Sequence, residues 1–215
     1  MNVLMVSPKF QETFWSMDNI LPFLGAKVVL PPLGLLTVAA LLPSEWKLKL
    51  VDLNVRPLEQ EHLEWADMCF VSAMTIQAES AEEAICQANK AGVTVVAGGP
   101  HFTHFYEKYA FSTNSGPRVD HFFKSEAEGI IDQFVHDLGK GQAKQLYQSE
   151  GFPNLAESPS PRYDLINTKD YYCMGLQFSR GCPFNCEFCD VIILNGRKPR
   201  YKAVQQCLDE LDNIR

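Results

Sequence analysis

Five short apolar runs separated by stretches of helical periodicity constrain this 215-residue chain more than any other feature. Strands and helices that alternate in this way build a parallel sheet with crossover helices on its faces. The runs predict strands at Val3–Ser7, Lys47–Asp52, Met68–Ala73, Val93–Ala97 and Val119–Lys124. Helical patterns fall at Leu33–Leu42, Leu58–Trp65, Ala78–Ala91 and Glu126–Leu138. The third is the clearest. Ala81, Ala84, Ile85 and Ala88 make an apolar stripe, Glu79, Glu82 and Glu83 enrich its start, and Gly92 stops it.

The expected architecture is therefore α/β, with a flavodoxin-like (Rossmann-like) five-stranded parallel sheet over residues 1–140. Such sheets bind ligands outside the carboxyl ends of their strands. Those ends carry Ser7-Pro8, Ser72-Ala73-Met74-Thr75, Gly98-Gly99-Pro100-His101 and Lys124-Ser125-Glu126-Ala127-Glu128-Gly129, where Ser125 is placed to cap the next helix. Small residues there let a bulky ligand approach the backbone, and glycines adopt dihedrals that other residues avoid. The same residues would also serve simply to turn the chain.

Near the C-terminus, Arg180-Gly181-Cys182-Pro183-Phe184-Asn185-Cys186-Glu187-Phe188-Cys189 spaces three cysteines as CxxxCxxC. A [4Fe–4S] cubane is ordinarily held by four thiolates. Three on one short loop leave one iron open to a small molecule. A zinc site, the other reading, usually takes paired CxxC ligands, and no second pair or CxxH follows. Cys69 and Cys86 read as small core residues, and Cys173 and Cys207 as structural.

Seven cysteines without a secretory leader point to a reducing compartment, hence the cytoplasm. The apolar stretch at 28–42 is broken by Pro31 and Pro32 and is too short to span a bilayer. A net charge of −7 argues against nucleic acid as the main partner. Glycines and prolines mark residues 141–172 as a linker, leaving 173–215 as a second unit. Within it Met174–Ser179 reads as a strand leading into the cysteine loop. Arg197, Lys198 and Arg200 form a basic turn, and Ala203–Ile214 is an amphipathic helix with Val204, Cys207, Leu208 and Leu211 on its apolar face.

The cysteine spacing, with Arg180-Gly181 ahead of it and the aromatic Phe188 before Cys189, resembles the signature of radical S-adenosylmethionine (SAM) enzymes. The resemblance implies that Cys182, Cys186 and Cys189 hold a [4Fe–4S] cluster, that its open iron binds SAM, and that Phe188 packs near the adenine. Pro31-Pro32-Leu33-Gly34-Leu35, Asp52-Leu53-Asn54, Ser72-Ala73-Met74-Thr75 and Gly98-Gly99-Pro100-His101 together look like the cobalamin-binding domain found ahead of many such barrels. That resemblance covers most of residues 1–140. It places Ser7, Ser72, Ala73, Met74, Gly98, Gly99 and Glu126 closest to cobalamin. No DxHxxG motif is present, and Asn54 stands where a cobalt-binding histidine would sit, so the resemblance implies cobalt without a histidine lower ligand. His101 is read as a polar loop residue.

The stretch 158–165 is similar to the joint between cobalamin domain and barrel, so 173–215 is expected to be the first strand–helix unit of a partial (β/α) barrel. Its later strands are absent, which implies a fragment inactive alone, with an unpaired strand edge. The activity implied is methyl transfer to an unactivated carbon, from methylcobalamin, after SAM cleavage generates a radical. The wording through Gly196–Arg200 resembles a subgroup that includes hopanoid-type methylases. The implied partners are a small-molecule or lipid-like substrate and an electron donor such as flavodoxin or ferredoxin. Radical cyclisation or rearrangement with the same cofactors, and a cobalamin carrier with a vestigial cysteine loop, are the alternatives.

Overall fold

The computed structural model describes residues 1–13, 16–111 and 116–214. The chain begins with β1 (Asn2–Ser7), α1 (Leu33–Leu41), β2 (Lys47–Asp52), α2 (Gln60–Trp65), β3 (Met68–Ser72), α3 (Ala78–Lys90) and β4 (Thr94–Gly98). There follow α4 (Pro100–His104), α5 (Tyr106–Ala110), β5 (His121–Lys124), α6 (Ile131–Gly139) and β6 (Leu146–Gln148). The six strands form one sheet in the order β2-β1-β3-β4-β5-β6, parallel throughout.

Alternate residues of each strand face opposite sides of the sheet, and both sides are covered. Leu4, Val6, Cys69, Val71, Val95 and Ala97 pack under the apolar stripe of α3 with Phe102 and Phe122. Val3, Met5, Phe70, Val96 and Phe123 pack against α1 and α6 through Leu35, Leu36, Ala39, Ile131 and Phe134. This two-sided burial is why the strands read as unbroken apolar runs.

The sheet has six strands where the sequence predicts five. The added strand, β6, lies in the segment read as linker and pairs Phe122 with Leu146 and Phe123 with Tyr147. Three residues are too few to show a period, but Tyr147 is buried and its hydroxyl donates to Asp137 at 3.1 Å. The helices α4 and α5 are likewise unexpected, although Pro100 at the first helical position is a start signal. The expected helix from Glu126 is a 3-10 turn (Ala127–Gly129) followed by α6. Ser125 does not cap it; Ser125 holds φ +90°, and its backbone N–H donates to Thr103 Oγ1 at 3.5 Å.

Beyond the sheet, β7 (Ser179–Arg180) pairs antiparallel with β8 (Arg200–Tyr201), with α7 (Val191–Leu194) between them and α8 (Val204–Ile214) after them. Of the strand expected at Met174–Ser179 only the last residue is in a ladder, although the Phe178 carbonyl accepts from the Lys202 N–H at 2.9 Å. The N–H groups of Tyr172 and Cys173 donate to the carbonyls of Val28 and Val29. Helix α8 also faces the opposite way from expectation: Val204, Leu208 and Leu211 are exposed, and Glu210 is fully buried. Its polar side is held inward by hydrogen bonds to the connecting segment and an ion pair to a residue just before the helix. Gln206 Nε2 donates to the carbonyls of Leu155 and Ser158, and Lys202 pairs with Glu210. No helix among the described residues is long and apolar enough to cross a membrane.

Candidate functional site

A cavity of about 600 Å³ opens at the carboxyl ends of β1, β2 and β3, under the segment between β1 and α1. Ser7, Ser72, Ala73 and Met74 line it, as expected from the strand ends, together with Pro31, Pro32, Leu33, Gly34 and Leu35 at the start of α1. The exposed apolar side chains of Leu30, Met74 and Ile76 stand among the lining residues. A second, narrower slot of about 50 Å³ runs beside β3, β4 and β5 and is lined by Ser72, Gly98, Gly99, Phe123, Ser125 and Val38 among others.

Gly99 makes the closest approach between the two strand ends. It holds φ +87°, and a Cβ there would lie 2.7 Å from Ser72 Oγ and 3.0 Å from the Ala73 carbonyl. The tight turn lets the His101 N–H donate to the Ala73 carbonyl at 3.0 Å, which locks the ends of β3 and β4 together.

The floor of the main cavity is held by Asp52 and Asn54. Asn54 Nδ2 donates to Asp52 Oδ1 at 2.6 Å and to the Pro8 carbonyl at 3.2 Å, and Asn54 Oδ1 accepts from the Phe10 N–H at 2.9 Å. Asn54 is thus committed to shaping the loop after β1. Asp52 Oδ2 accepts from the hydroxyl of Tyr171 at 3.2 Å. Burial pushes the Asp52 carboxyl above the ordinary aspartate range, against the lowering pull of Asn54 and Tyr171. Tyr171 was not foreseen. It arrives from 119 residues away and bridges to Val28 in the cavity wall. Only its aromatic character amid a polar stretch could have drawn attention to it.

His101 is buried and does not line the main cavity. Tyr109 donates its one hydroxyl proton to Glu82 at 2.7 Å, so His101 Nε2–H must donate to the Tyr109 oxygen, 2.6 Å away. That leaves Nδ1 as a buried lone pair without a partner among the described residues. Burial and then Lys108 hold the imidazole below the ordinary histidine range, with Glu82 opposing.

Glu126 lines neither cavity. Its carboxylate meets Arg180 and Arg200, the residues that flank the cysteine loop. The loop itself is compact at its base. The Cys182 N–H donates to the Gly196 carbonyl, and a Cβ on Gly181 would lie 2.5 Å from the Lys198 carbonyl. Cys186 is exposed, and Cys182 and Cys189 are half-buried. Phe188 is 92% exposed and Phe184 71%. Asp190, next to Cys189, reaches His104 of α4 at 3.7 Å, so the loop lies over the same end of the sheet as the cavities.

The B12 binding domain matches residues 24–135, over half of the chain. The chain belongs to the B12-binding domain family. Within this family it is 43% identical over its whole length to an uncharacterized methyltransferase of Synechocystis sp., covering 39% of that protein. It is 31% identical over 99% of its length to the hopanoid C-2 methylase of Rhodopseudomonas palustris, covering 40% of it. The bacteriochlorophyllide d C-12(1)-methyltransferase of Chlorobaculum tepidum is 22% identical over 97% of the chain and is covered over 44%. The chain thus spans less than half the length of these relatives.

The residues present fit the B12 group. A flat, bulky corrin needs an open, largely apolar cavity beside bare backbone, and the main cavity and the Gly99 turn supply both. The cysteine loop offers three thiolate donors. Their sulfurs are not gathered within 4.8 Å of one another. The group that does gather, Glu59, Glu61 and His62, is the start of α2, where His62 Nδ1 accepts from the Glu59 N–H as a helix cap.

Proposed function

We propose that this chain is the cobalamin-binding part, and the beginning of the cluster-binding part, of a methyltransferase that combines cobalamin with radical SAM chemistry. The observation that carries the reading is the placement of a cofactor-sized cavity and a three-thiolate loop at one end of a B12-binding sheet. The named activities of the hopanoid and bacteriochlorophyllide relatives support methyl transfer to a small-molecule or lipid-like substrate.

Bound cobalamin would supply a methyl carrier, and a [4Fe–4S] cluster with SAM would supply the radical that activates an inert C–H bond. Ser7, Ser72, Ala73 and Met74 would meet the corrin across the strand ends, and Gly98 and Gly99 would let its tail run down the slot beside β4. Asn54 spends both amide hydrogens on Asp52 and Pro8 and accepts from Phe10, which accords with a side chain that shapes this loop and does not ligate cobalt. Cys182, Cys186 and Cys189 would hold the cluster, and Phe188 would cover the SAM adenine. The apolar cavity wall would exclude water from the reacting groups. Residues 173–214 would open a partial barrel whose remaining strands cover the exposed Phe184, Phe188 and Ile193. A flavodoxin or ferredoxin would supply electrons in the cytoplasm.

The test is anaerobic reconstitution with ferrous iron and sulfide, with cob(II)alamin titrated in and followed by absorbance and EPR. The expected result is a cubane spectrum and one saturable cobalamin site whose EPR lacks nitrogen splitting. Iron uptake with no cobalamin binding, or nitrogen-ligated cobalt, would refute it.

A further inference from the structure

The cysteine loop rises from a two-residue ladder in which Arg180 stands directly opposite Arg200. Like charges facing each other across strands destabilise a ladder, and here both guanidinium groups are nearly buried, with side-chain exposures of 11% and 14%. What offsets the repulsion comes from outside the ladder. Arg180 Nη1 donates to Glu126 Oε2 at 2.6 Å, and Arg180 Nη2 pairs with Glu128 Oε1 at 2.8 Å. Arg200 grips Glu126 with both terminal nitrogens, one of them at 3.0 Å from Oε2. Asn195 Nδ2, within the loop, donates to Glu126 Oε1 at 3.3 Å.

Two arginines and two glutamates make a neutral cluster, with the glutamates 6% and 9% exposed. Both glutamates come from the turn that ends β5, and Ser125 just before them is held in the left-handed region. The connecting segment closes the third side. The Pro153 carbonyl accepts from Arg200 at 2.6 Å, Phe152 lies under the guanidinium at 5.0 Å, and Ser158 Oγ donates to Glu128 at 2.9 Å.

We propose that Glu126 is a positioning residue: it closes the base of the cysteine loop and seats it on the carboxyl end of the sheet, so that the B12-binding domain sets the spacing of the three thiolates. This rests on the reading of Cys182, Cys186 and Cys189 as cluster ligands, and it replaces the expected contact of Glu126 with cobalamin. The Glu126 carboxylate touches both ends of the loop and a residue inside it. A buried cluster that loses one anion keeps two cations facing each other in a poorly solvated site, which costs far more than an exposed pair.

Glu126→Gln preserves shape and removes the charge. Glu126→Gln/Arg200→Gln restores neutrality, leaving Arg180 with Glu128. Hydrogen exchange is measured across the whole protein, together with iron bound per chain after anaerobic incubation with ferrous iron and sulfide. In Glu126→Gln, exchange at 179–201 is expected to speed up by about tenfold or more while β1 and β3 keep their protection. Iron uptake is expected to fall with it. The double variant is expected to stand closer to wild type than to the single variant in both readouts. A purely local packing role would give no such rescue. Unchanged loop exchange in Glu126→Gln overturns the proposal, as does a double variant no better than the single one. If Glu126→Gln unfolds throughout, the same comparison with the double variant decides. Wild-type protein that takes up no iron refutes the cluster reading by itself, while the exchange comparison still judges the role of Glu126.

Discussion

Replacing Gly99 by alanine tests the turn on which the mouth of both cavities depends. Gly99 sits at φ +87°, ψ 178°, a region that side-chain-bearing residues almost never occupy. The backbone alone costs about 1–3 kcal/mol. The added methyl would lie 2.7 Å from Ser72 Oγ and 3.0 Å from the Ala73 carbonyl, so the end of β3 must move, at a further ~1–3 kcal/mol. The sum, about 2–6 kcal/mol, would lower a urea midpoint by roughly 1–3 M at a slope of ~2 kcal/mol/M. Gly98 is the internal control. It has an ordinary strand conformation, and its Cβ would meet Phe123 at 3.4 Å, a contact the neighbour can accept. Gly98→Ala should cost under ~1 kcal/mol. Urea unfolding of both variants, followed by far-UV circular dichroism, gives the comparison. Equal midpoints for the two variants would refute the argument from backbone conformation and close approach.

Ser125→Gly should stabilise the protein by about 1 kcal/mol, because glycine relieves the φ of +90° and the backbone bond to Thr103 is kept; thermal melting reads the gain. Asp52→Asn should flatten the dependence of stability on pH. Burial raises the folded-state pKa of Asp52, so the unfolded chain releases this proton at lower pH, and wild-type stability declines as pH rises from the ordinary aspartate range through the raised value. An unchanged pH profile would remove Asp52 as the cause. Cys182→Ser should abolish uptake of iron and sulfide yet leave the unfolding free energy from urea titration within ~0.5 kcal/mol of wild type, since the thiol is half-buried and belongs to neither apolar core.

The sheet was legible because burial on both faces writes each strand as an apolar run, and the stripe of α3 was legible because Ala81, Ala84, Ile85 and Ala88 all turn inward. The strand ends Ser7, Ser72, Ala73 and Met74 followed from the same pattern, since a parallel sheet puts its open end where the runs stop. What could not be read depends on distant partners. The inward face of α8 is tied by Gln206 to the carbonyls of Leu155 and Ser158, about fifty residues upstream, so local periodicity pointed the wrong way. Glu126 read as a cobalamin contact at a strand end, because the arginines that meet it lie 54 and 74 residues later and leave no local mark. Tyr171 escaped notice for the same reason, as did β6, whose three residues are too short to carry a period.

The bridge between Tyr171 and Val28 also ties the end of the connecting segment to the cavity wall. The carbonyl of Asp170 takes the N–H groups of Lys27 and Val28, and the N–H groups of Tyr172 and Cys173 return to Val28 and Val29. This stitching makes the tail of the connecting segment a strap across the cavity wall. The Gly175 carbonyl, which accepts from the Tyr163 hydroxyl at 3.1 Å, extends the hold to the start of the cysteine-bearing part. A guest that pushes Val28 and Val29 aside must also tug the lever on which that part hangs.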